Sequence, residues 1–166
     1  MDQVVLSYPI KSSVGMCIFF TIKEIDMYRL QTEASFDSAH FLAGYDGKCS
    51  NLHGHRWRIL AEIEMDSLEE SGQLRGMVVD FGDLKKDVKE LADFYDHCFI
   101  YEEGTLKENT VKALQEEHFR MIAVPFRPTA EHFSKFFYDA LTEKGYAMTR
   151  VTVYETPNNC ATYSAE

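Results

Sequence analysis

Three histidines and one cysteine lie within sixteen residues of this chain, at His40, Cys49, His53 and His55. His53 and His55 are two positions apart, so on an extended strand both side chains leave the same face. His40 ends another strand-like run and could supply a third nitrogen from a neighbouring strand. Three neutral imidazoles with an open fourth position are typical of a catalytic zinc site. The thiol would then stay free to move protons beside the metal, which favours an enzyme.

The same four residues also allow a different zinc site. Cys49 and the three histidines could close a four-ligand centre that stabilises the fold and has no catalytic role. Arg56 and Trp57, which follow the histidine pair, fit a strand leaving the site in either case. The spacing therefore leaves both a catalytic centre and a structural zinc-binding module open.

Two strands separated by a loop are expected to position these side chains. Alternating apolar and polar residues predict one strand over 27–36 and a second over 53–66. The glycines and the aspartate of 43–48 indicate a loop between them. Two further strands are predicted at 77–80 and 149–154.

Helices are expected between these strands. Apolar residues at helical spacing predict one helix over 82–95 and a weaker one over 105–119. A third should begin at Thr129, a residue type that caps helix N-termini, and end at Gly145. The segment 121–125 is predicted to be a short extended piece. This order of elements predicts an α+β fold, an antiparallel sheet with helices on one side.

The overall composition argues against a nucleic-acid or membrane partner. The chain has 166 residues, a formal net charge of −10 and a pI near 5.0, and such an acidic surface repels nucleic acid. The apolar run 14–20 is too short to span a membrane and lacks a signal-peptide cleavage site. Four cysteines in a chain of this size do not indicate a disulfide framework, so we expect a reduced, cytoplasmic protein.

Several motifs follow one another in an order that resembles the 6-pyruvoyltetrahydropterin synthase superfamily. They are Phe36-Asp-Ser-Ala-His40, Cys49-X3-His53-Gly-His55, Val79-Asp-Phe-Gly-Asp-Leu84, Asp96-His97, Pro128-Thr-Ala-Glu131 and Tyr154-Glu-Thr156. The resemblance extends from about Tyr28 to the C-terminus. The short interval between Cys49 and His53 resembles the bacterial 6-carboxy-5,6,7,8-tetrahydropterin synthases of queuosine biosynthesis, because the animal-type 6-pyruvoyl enzymes have a longer one.

The resemblance implies a fold, an assembly and a reaction. The fold is the tunnelling fold, an antiparallel four-stranded sheet with helices packed on one face. The sheets of several subunits join into a barrel in a homo-oligomer, either a hexamer of two stacked trimers or a tetramer. The implied reaction converts 7,8-dihydroneopterin triphosphate to 6-carboxy-5,6,7,8-tetrahydropterin and releases acetaldehyde and triphosphate. The alternative within the family is elimination of triphosphate to a 6-pyruvoyl product.

The resemblance also implies roles for the residues of the first two motifs. His40, His53 and His55 correspond to the family's three zinc ligands, and Cys49 corresponds to its proton-abstracting thiolate. A zinc ion can act as a Lewis acid on substrate oxygens. A cation beside a thiol also lowers the thiol pKa, which makes a thiolate at neutral pH reasonable.

The later motifs carry the remaining implied roles. His97 and Glu155 correspond to charge-relay groups, and Asp96 orients or charge-balances His97. Glu131 corresponds to the carboxylate that pairs with the pterin, and Thr129 supplies a further hydrogen bond. His118, His132 and Cys98 are expected to be structural. The triphosphate requires cations, and the candidates near the motifs are Lys48, Arg56, Arg58 and Arg127.

Two segments depart from the family pattern. Residues 1–26 are expected to be an N-terminal extension, with an ordinary strand of the sheet as the alternative. Residues 27–166 are expected to form one catalytic domain. That domain carries an insertion at about 102–127, which includes the weaker helix.

Overall fold

Residues 10–11, 17–18 and 26–165 are described by the structure, a computed structural model. Ile10–Lys11 (β1) and Cys17–Ile18 (β2) pair antiparallel as a two-stranded sheet of their own. The remainder of the predicted extension, up to residue 25, lies outside the described residues.

A long antiparallel strand pair forms the centre of the main sheet. Tyr28–His40 (β3) and His53–Met65 (β4) pair over their whole length and confirm the two predicted strands. Phe36 and Trp57 are buried on one side of this pair, which we call the helix face. The other side carries alternate residues of both strands, such as Asp37 and Arg56, and we call it the open face.

The main sheet has six strands among the described residues, so the predicted number of four is wrong. Four shorter strands join the central pair in the order β6-β5-β3-β4-β7-β8: Cys98–Glu102 (β5), Met121–Val124 (β6), Arg150–Thr156 (β7) and Asn159–Tyr163 (β8). β5 runs parallel to β3 and β6 runs parallel to β5, so the sheet is mixed and not antiparallel throughout. The additional strands bury Ile100 and Val124, which explains why two short apolar runs become strands here.

The strand predicted at 77–80 is also wrong, because this segment has no strand pairing in the structure. Met77 instead closes a local loop. Its carbonyl accepts the Glu69 N–H at 2.9 Å, and its own N–H donates to the Leu74 carbonyl at 2.8 Å. Asp80 then caps the following helix by accepting the Gly82 N–H at 2.7 Å.

The helices of the described chain follow the sequence prediction in order. They are Phe81–Tyr95 (α1), Glu108–Glu116 (α2) and Ala130–Glu143 (α3), the last with Thr129 at its N-cap as predicted. α2 is shorter than expected and has no buried residue. In the described part of the chain, none of these helices has the length and apolar content that crossing a bilayer requires.

Aromatic side chains join α1 and α3 to the helix face, and for α1 the contact is between Tyr95 and Phe36, whose ring centroids are 6.0 Å apart. The ring centroids of Phe133 and Trp57 are 5.4 Å apart, and those of Phe137 and Phe36 are 6.2 Å apart. Trp57 also lies edge-on to the His40 ring, with centroids 4.9 Å apart. The core therefore extends directly to the first of the three histidines. α2 lies on the opposite side of the sheet, where Val111 and Tyr101 line the same small cavity. The prediction of helices on one face therefore holds for α1 and α3 and is wrong for α2.

One polar contact between α1 and the segment after α3 gives a prediction about stability. The Asp87 carboxylate accepts hydrogen bonds from Lys144 Nζ at 2.6 Å and from the Tyr146 hydroxyl at 2.7 Å. The bond from Lys144, followed by that from Tyr146, holds the Asp87 pKa below its ordinary value. A lowered folded-state pKa stabilises the protein above the unfolded-state pKa, and this stabilisation is lost as the pH falls through the lowered value.

Asp87→Asn is therefore expected to reduce the free energy of unfolding by about 1 kcal/mol at pH 7 and by less near pH 3. Urea unfolding at both pH values measures the difference. Asp93→Asn is the matched control, because Asp93 pairs with Lys89 on the exposed side of the same helix. The control should change stability by less than about 0.5 kcal/mol. An Asp87→Asn effect of equal size at both pH values would contradict the prediction.

Candidate metal centre

The pairing of β3 with β4 brings the three predicted histidines together. His40 lies directly opposite His53 in the antiparallel ladder, and His55 is two residues further along β4, opposite Ser38. All three side chains therefore point to the helix face. The ring centroid of His40 lies 4.5 Å from that of His53 and 5.2 Å from that of His55.

Backbone carbonyls orient two of the rings. Nδ1 of His40 lies 2.8 Å from the Pro128 carbonyl oxygen, and Nδ1 of His53 lies 2.7 Å from the Asn51 carbonyl oxygen. A carbonyl can only accept, so Nδ1 carries the proton in each ring and Nε2 keeps its lone pair. Both Nε2 atoms are buried and have no hydrogen-bond partner among the described residues. Carbonyl contacts of this kind fix the tautomer of metal-binding histidines, and no local sequence signal pointed to Pro128 or Asn51.

Burial keeps the imidazoles of His40 and His55 in the neutral form that binds metals. His40 is 0% exposed, and burial lowers its pKa to about 4, although the hydrogen bond to Pro128 acts in the opposite direction. Burial likewise lowers the pKa of His55, whereas the negative charge of the Glu155 carboxylate acts to raise it. A neutral imidazole is the species that donates its lone pair to a metal.

The three rings fit a metal ion with protein nitrogen ligands. One ligand atom from each histidine lies within 4.8 Å of the other two. Cys49 is not part of this group of three. The orphaned Nε2 atoms and the all-nitrogen donor set are suited to zinc or a related transition metal.

Gly54 allows the two strands to approach closely between the histidines. A β carbon at this position would lie 3.2 Å from the Ser38 carbonyl oxygen and 3.7 Å from Ala39 Cα. Both contacts are to backbone atoms of β3, which cannot swing away as the end of a side chain can. The glycine thus has a packing reason to separate His53 from His55.

Glu155 lies against this histidine group. β7 pairs with β4, and its Glu155 carboxylate is 3.5 Å from His40 Nε2 and 3.8 Å from His55 Nε2. The side chain is 27% exposed, so it connects the buried rings to the surface. The family resemblance implies a charge-relay glutamate at this position but does not indicate its contact with the two rings.

Cys49 lies in the loop that joins the two histidine strands. It belongs to a single 3-10 turn, Lys48–Ser50, and is a half-buried free thiol. Its carbonyl accepts the Leu42 N–H at 2.8 Å, and Arg127 donates to the Ala43 carbonyl. The Leu42 bond closes the loop near the end of β3, where His40 lies, and the Arg127 bond ties the loop to the segment before α3. Cys98 and Cys160 are also free thiols, and Cys98 is buried as predicted.

Asp96 and His97 form a second candidate group at the end of α1. Nδ1 of His97 lies 2.7 Å from Asp96 Oδ2, and Asp96 Oδ1 accepts the Asp37 N–H at 2.7 Å. The bond from Asp37, followed by that from His97, holds the Asp96 pKa below its ordinary value. The His97 side chain is 80% exposed, so its ring is presented to solvent in the single chain.

Among the described residues, no hydrogen bond or ion pair joins the two groups directly. Asp96 and His97 bond to each other and to Asp37, whereas the three rings lie against Glu155. His97 borders a cavity of about 730 Å³, together with Ala39, Gly54, Phe99, Leu114 and Arg120, and His55 lines the same cavity. One chain therefore brings the three histidines and Glu155 into contact and leaves Asp96 and His97 as a separate pair.

Thr129 and Glu131 lie at the start of α3. The Thr129 hydroxyl accepts the His132 N–H at 3.4 Å, and Glu131 is exposed in the first turn. Pro128, which precedes them, holds His40 through its carbonyl. This link places the Pro-Thr-Ala-Glu motif at the border of the histidine group.

Two of the candidate phosphate-binding cations, Arg58 and Arg56, differ in how closely their charge is already paired. Arg58 donates to Glu33 at 2.9 Å and lies 3.9 Å above the Tyr154 ring, so its charge is already paired. The side chain of Arg56 is 77% exposed and is 3.9 Å from Asp37 at its nearest approach. Arg56 is therefore more available to a phosphate than Arg58.

Curated proteins with a known name resemble this chain over most of its length. Residues 29–166 match the family described as 6-pyruvoyl tetrahydropterin synthase. The 6-carboxy-5,6,7,8-tetrahydropterin synthase of Haemophilus influenzae is 39% identical over 140 residues, which span 82% of this chain and 99% of the relative. The protein of the same name from Aquifex aeolicus is 32% identical over 129 residues, which span 72% and 77%.

Solved structures share the fold. An uncharacterized protein from Wolinella succinogenes superposes with a TM-score of 0.68 at 20% identity, covering 84% of this chain and 99% of that one. The 6-pyruvoyl tetrahydropterin synthase of Plasmodium vivax superposes with a TM-score of 0.61 at 22% identity, covering 83% and 97%. Identities this low establish a common fold and nothing finer.

Proposed function

Because this chain belongs to the 6-pyruvoyl tetrahydropterin synthase family and is an enzyme of that family, we propose that it acts on 7,8-dihydroneopterin triphosphate. The proposed reaction consumes one water and yields 6-carboxy-5,6,7,8-tetrahydropterin, acetaldehyde and triphosphate. Its place would be the biosynthesis of queuosine. One observation carries the proposal: three histidine nitrogens lie within 4.8 Å of one another, while the free thiol of Cys49 stays outside the group.

The choice of the carboxy product over the pyruvoyl product has two supports. The relative from Haemophilus influenzae carries the carboxy-forming name and matches over nearly its whole length. The short interval between Cys49 and His53 also resembles the bacterial carboxy-forming enzymes. The pyruvoyl product is the alternative outcome of the experiment described below.

We propose that His40, His53 and His55 hold a zinc ion. When bound, zinc would supply Lewis acidity to the oxygens of the substrate side chain. The carbonyls of Pro128 and Asn51 keep two of the rings oriented for this task. Glu155, which already touches two rings, is suited to hold a proton at the edge of the same site.

Cys49 is proposed to take the proton from the substrate side chain. Its thiol is half-buried and free, in a loop that the Leu42 N–H closes near the end of β3 and that Arg127 ties to the segment before α3. A base must be within reach of the carbon that it deprotonates, and this loop leads directly into His53. No bond from Cys49 to the metal is needed in this arrangement.

We propose that His97, oriented by Asp96, moves a proton at the site of a second copy of the chain. Within one chain the Asp96–His97 pair has no hydrogen bond or ion pair with the three histidines among the described residues, although His97 and His55 line the same cavity. β5 pairs with β3 only at Ser38 and Ala39, which leaves the edge of β3 before these residues available to another strand. Joining sheets at this edge would create the barrel expected of the family, in a homo-oligomer.

The pterin and triphosphate ends of the substrate are assigned to polar groups of the chain. Glu131 accepts the amino and ring N–H groups of the pterin, a bidentate pattern that selects this ring, and Thr129 adds a hydrogen bond. Arg56 is the proposed phosphate contact, because its guanidinium is exposed and only weakly paired.

Incubation of the purified, zinc-loaded protein with 7,8-dihydroneopterin triphosphate tests this function. We expect 6-carboxytetrahydropterin by mass spectrometry and one acetaldehyde for each triphosphate released. A 6-pyruvoyl product without acetaldehyde would assign the sister activity. An unchanged substrate, with zinc bound at one ion per chain, would refute both activities.

A further inference from the structure

Arg120 contacts the end of α1 from outside that helix. Its Nη1 donates to the Asp96 carbonyl at 3.0 Å, and its Nη2 donates to the Phe94 carbonyl at 2.7 Å. The last turn of α1 contains no basic residue of its own. The final carbonyls of a helix lack partners within the helix and carry partial negative charge, so a guanidinium is a suitable cap.

The main chain at Arg120 is also hydrogen-bonded to the segment that follows His97. Its carbonyl accepts the Phe99 N–H at 2.9 Å, and the next residue, Met121, pairs with Phe99 in the β5–β6 ladder. Arg120 thus contacts the chain on both sides of His97: Phe94 and Asp96 before it, and Phe99 after it. The segment that carries Arg120 is the predicted insertion, to which no role has been assigned.

His97 occupies a backbone conformation that needs such support. Its φ is +52°, in the left-handed region that residues other than glycine seldom adopt. On the β3 side, its N–H donates to the Asp37 carbonyl at 2.7 Å, and Asp96 accepts the Asp37 N–H. On the other side, Arg120 donates a hydrogen bond to the Asp96 carbonyl, which belongs to the peptide bond between Asp96 and His97. The two sides together hold the backbone at His97, and the ring itself contacts Asp96, with Nδ1 2.7 Å from Oδ2.

We propose that Arg120 is a positioning residue: it clamps the Asp96–His97 peptide and so keeps the His97 imidazole aligned for proton transfer. The inference rests on the proposed function, because the role of His97 belongs to that reaction. Arg120 itself need not touch the substrate. The insertion would then serve as the structural support of a catalytic turn, in addition to adding the strand β6.

The structural part of this proposal can be tested without substrate. Arg120→Ala should increase amide hydrogen exchange at residues 94–99 by about 10-fold or more, since hydrogen bonds with a charged donor are among the stronger ones. Arg120→Lys keeps a donor for one carbonyl and should give an intermediate increase. Arg75→Ala is the matched control, because Arg75 is an exposed arginine whose side chain has no ion pair among the described residues. Exchange at 94–99 in this control should match the unmodified protein.

The proposed effect of Arg120 on catalysis is tested by comparing Arg120→Ala alone with the same substitution in a His97→Ala background. Arg120→Ala should reduce kcat by about 10- to 100-fold with little change in KM, the size expected when a reacting group is displaced by about 1 Å. In a His97→Ala background the same substitution should change kcat by less than about 2-fold, because its effect passes through His97. Thermal unfolding and zinc content accompany each variant.

The outcomes separate this proposal from the proposed function. Unchanged exchange at 94–99 in Arg120→Ala would overturn the clamp, whatever the activity. Equal losses of kcat with and without His97 would show that Arg120 acts by another route, and would overturn it as well. If the unmodified protein does not convert the substrate, the proposed function fails and the exchange result alone decides whether Arg120 clamps the turn.

Discussion

Cys49→Ala is expected to keep its metal and lose most of its turnover. The thiol is free and lies outside the group formed by the three histidines, so its removal leaves all three nitrogen ligands in place. Loss of a positioned proton-transfer group typically costs 10²- to 10⁴-fold in rate, and we expect kcat to fall within about that range. Metal stoichiometry and steady-state kinetics, measured on the same zinc-loaded sample, test both statements.

Cys160→Ala is the control for this experiment. Cys160 is an exposed free thiol on β8, so its loss tests whether removing any thiol affects the protein. We expect unchanged metal content and a kcat within about 2-fold of the unmodified protein, as for most surface substitutions. If Cys49→Ala instead lost its metal and unfolded, the cysteine would be a fourth ligand, and the chain would hold a structural zinc module.

His53→Ala is expected to abolish stable metal binding and with it the metal-dependent stability of the fold. His53 contributes one of the two buried Nε2 atoms that have no partner among the described residues. Substitutions of groups that merely support a ligand cost 10- to 100-fold in metal affinity, so loss of the ligand itself should cost more than about 100-fold. His53 is a better choice than His40, because replacing the fully buried His40 would also open a cavity beside Trp57.

Thermal unfolding with and without a chelator measures this effect. A ligand that binds only the folded state stabilises it by about 4 kcal/mol at 1,000 times its dissociation constant. The unmodified protein should therefore lose stability when the chelator removes zinc, whereas His53→Ala should respond little. His118→Asn is the matched control, since His118 is an exposed histidine with φ of +61°, which asparagine tolerates. A variant at His53 that still binds one zinc ion with unchanged affinity would refute the proposed centre.

The chemistry of the site could be predicted from local sequence, because it depends on residue types at fixed spacing. His53 and His55 share a face wherever their segment is a strand, and alternation of apolar residues is enough to predict that strand. The cap at Thr129 is equally local, because a capping side chain binds an N–H within the next few residues. A local pattern gave a wrong prediction at 77–80. The short apolar run there suggested a strand, but it closes a loop through hydrogen bonds of Met77 with Glu69 and Leu74.

The tertiary structure decided how distant segments meet. Only the register of β3 against β4 places His40 opposite His53, and only the fold brings the Pro128 carbonyl to His40 Nδ1. The parallel pairing of β5 and β6, and with it the contact of Arg120 with Asp96, likewise has no signature in either segment alone. Periodicity and capping depend on neighbours a few residues apart, and sequence can reveal them. Register, parallel pairing and the face that His97 occupies depend on contacts between residues far apart in the chain, so they exist only once the core has packed.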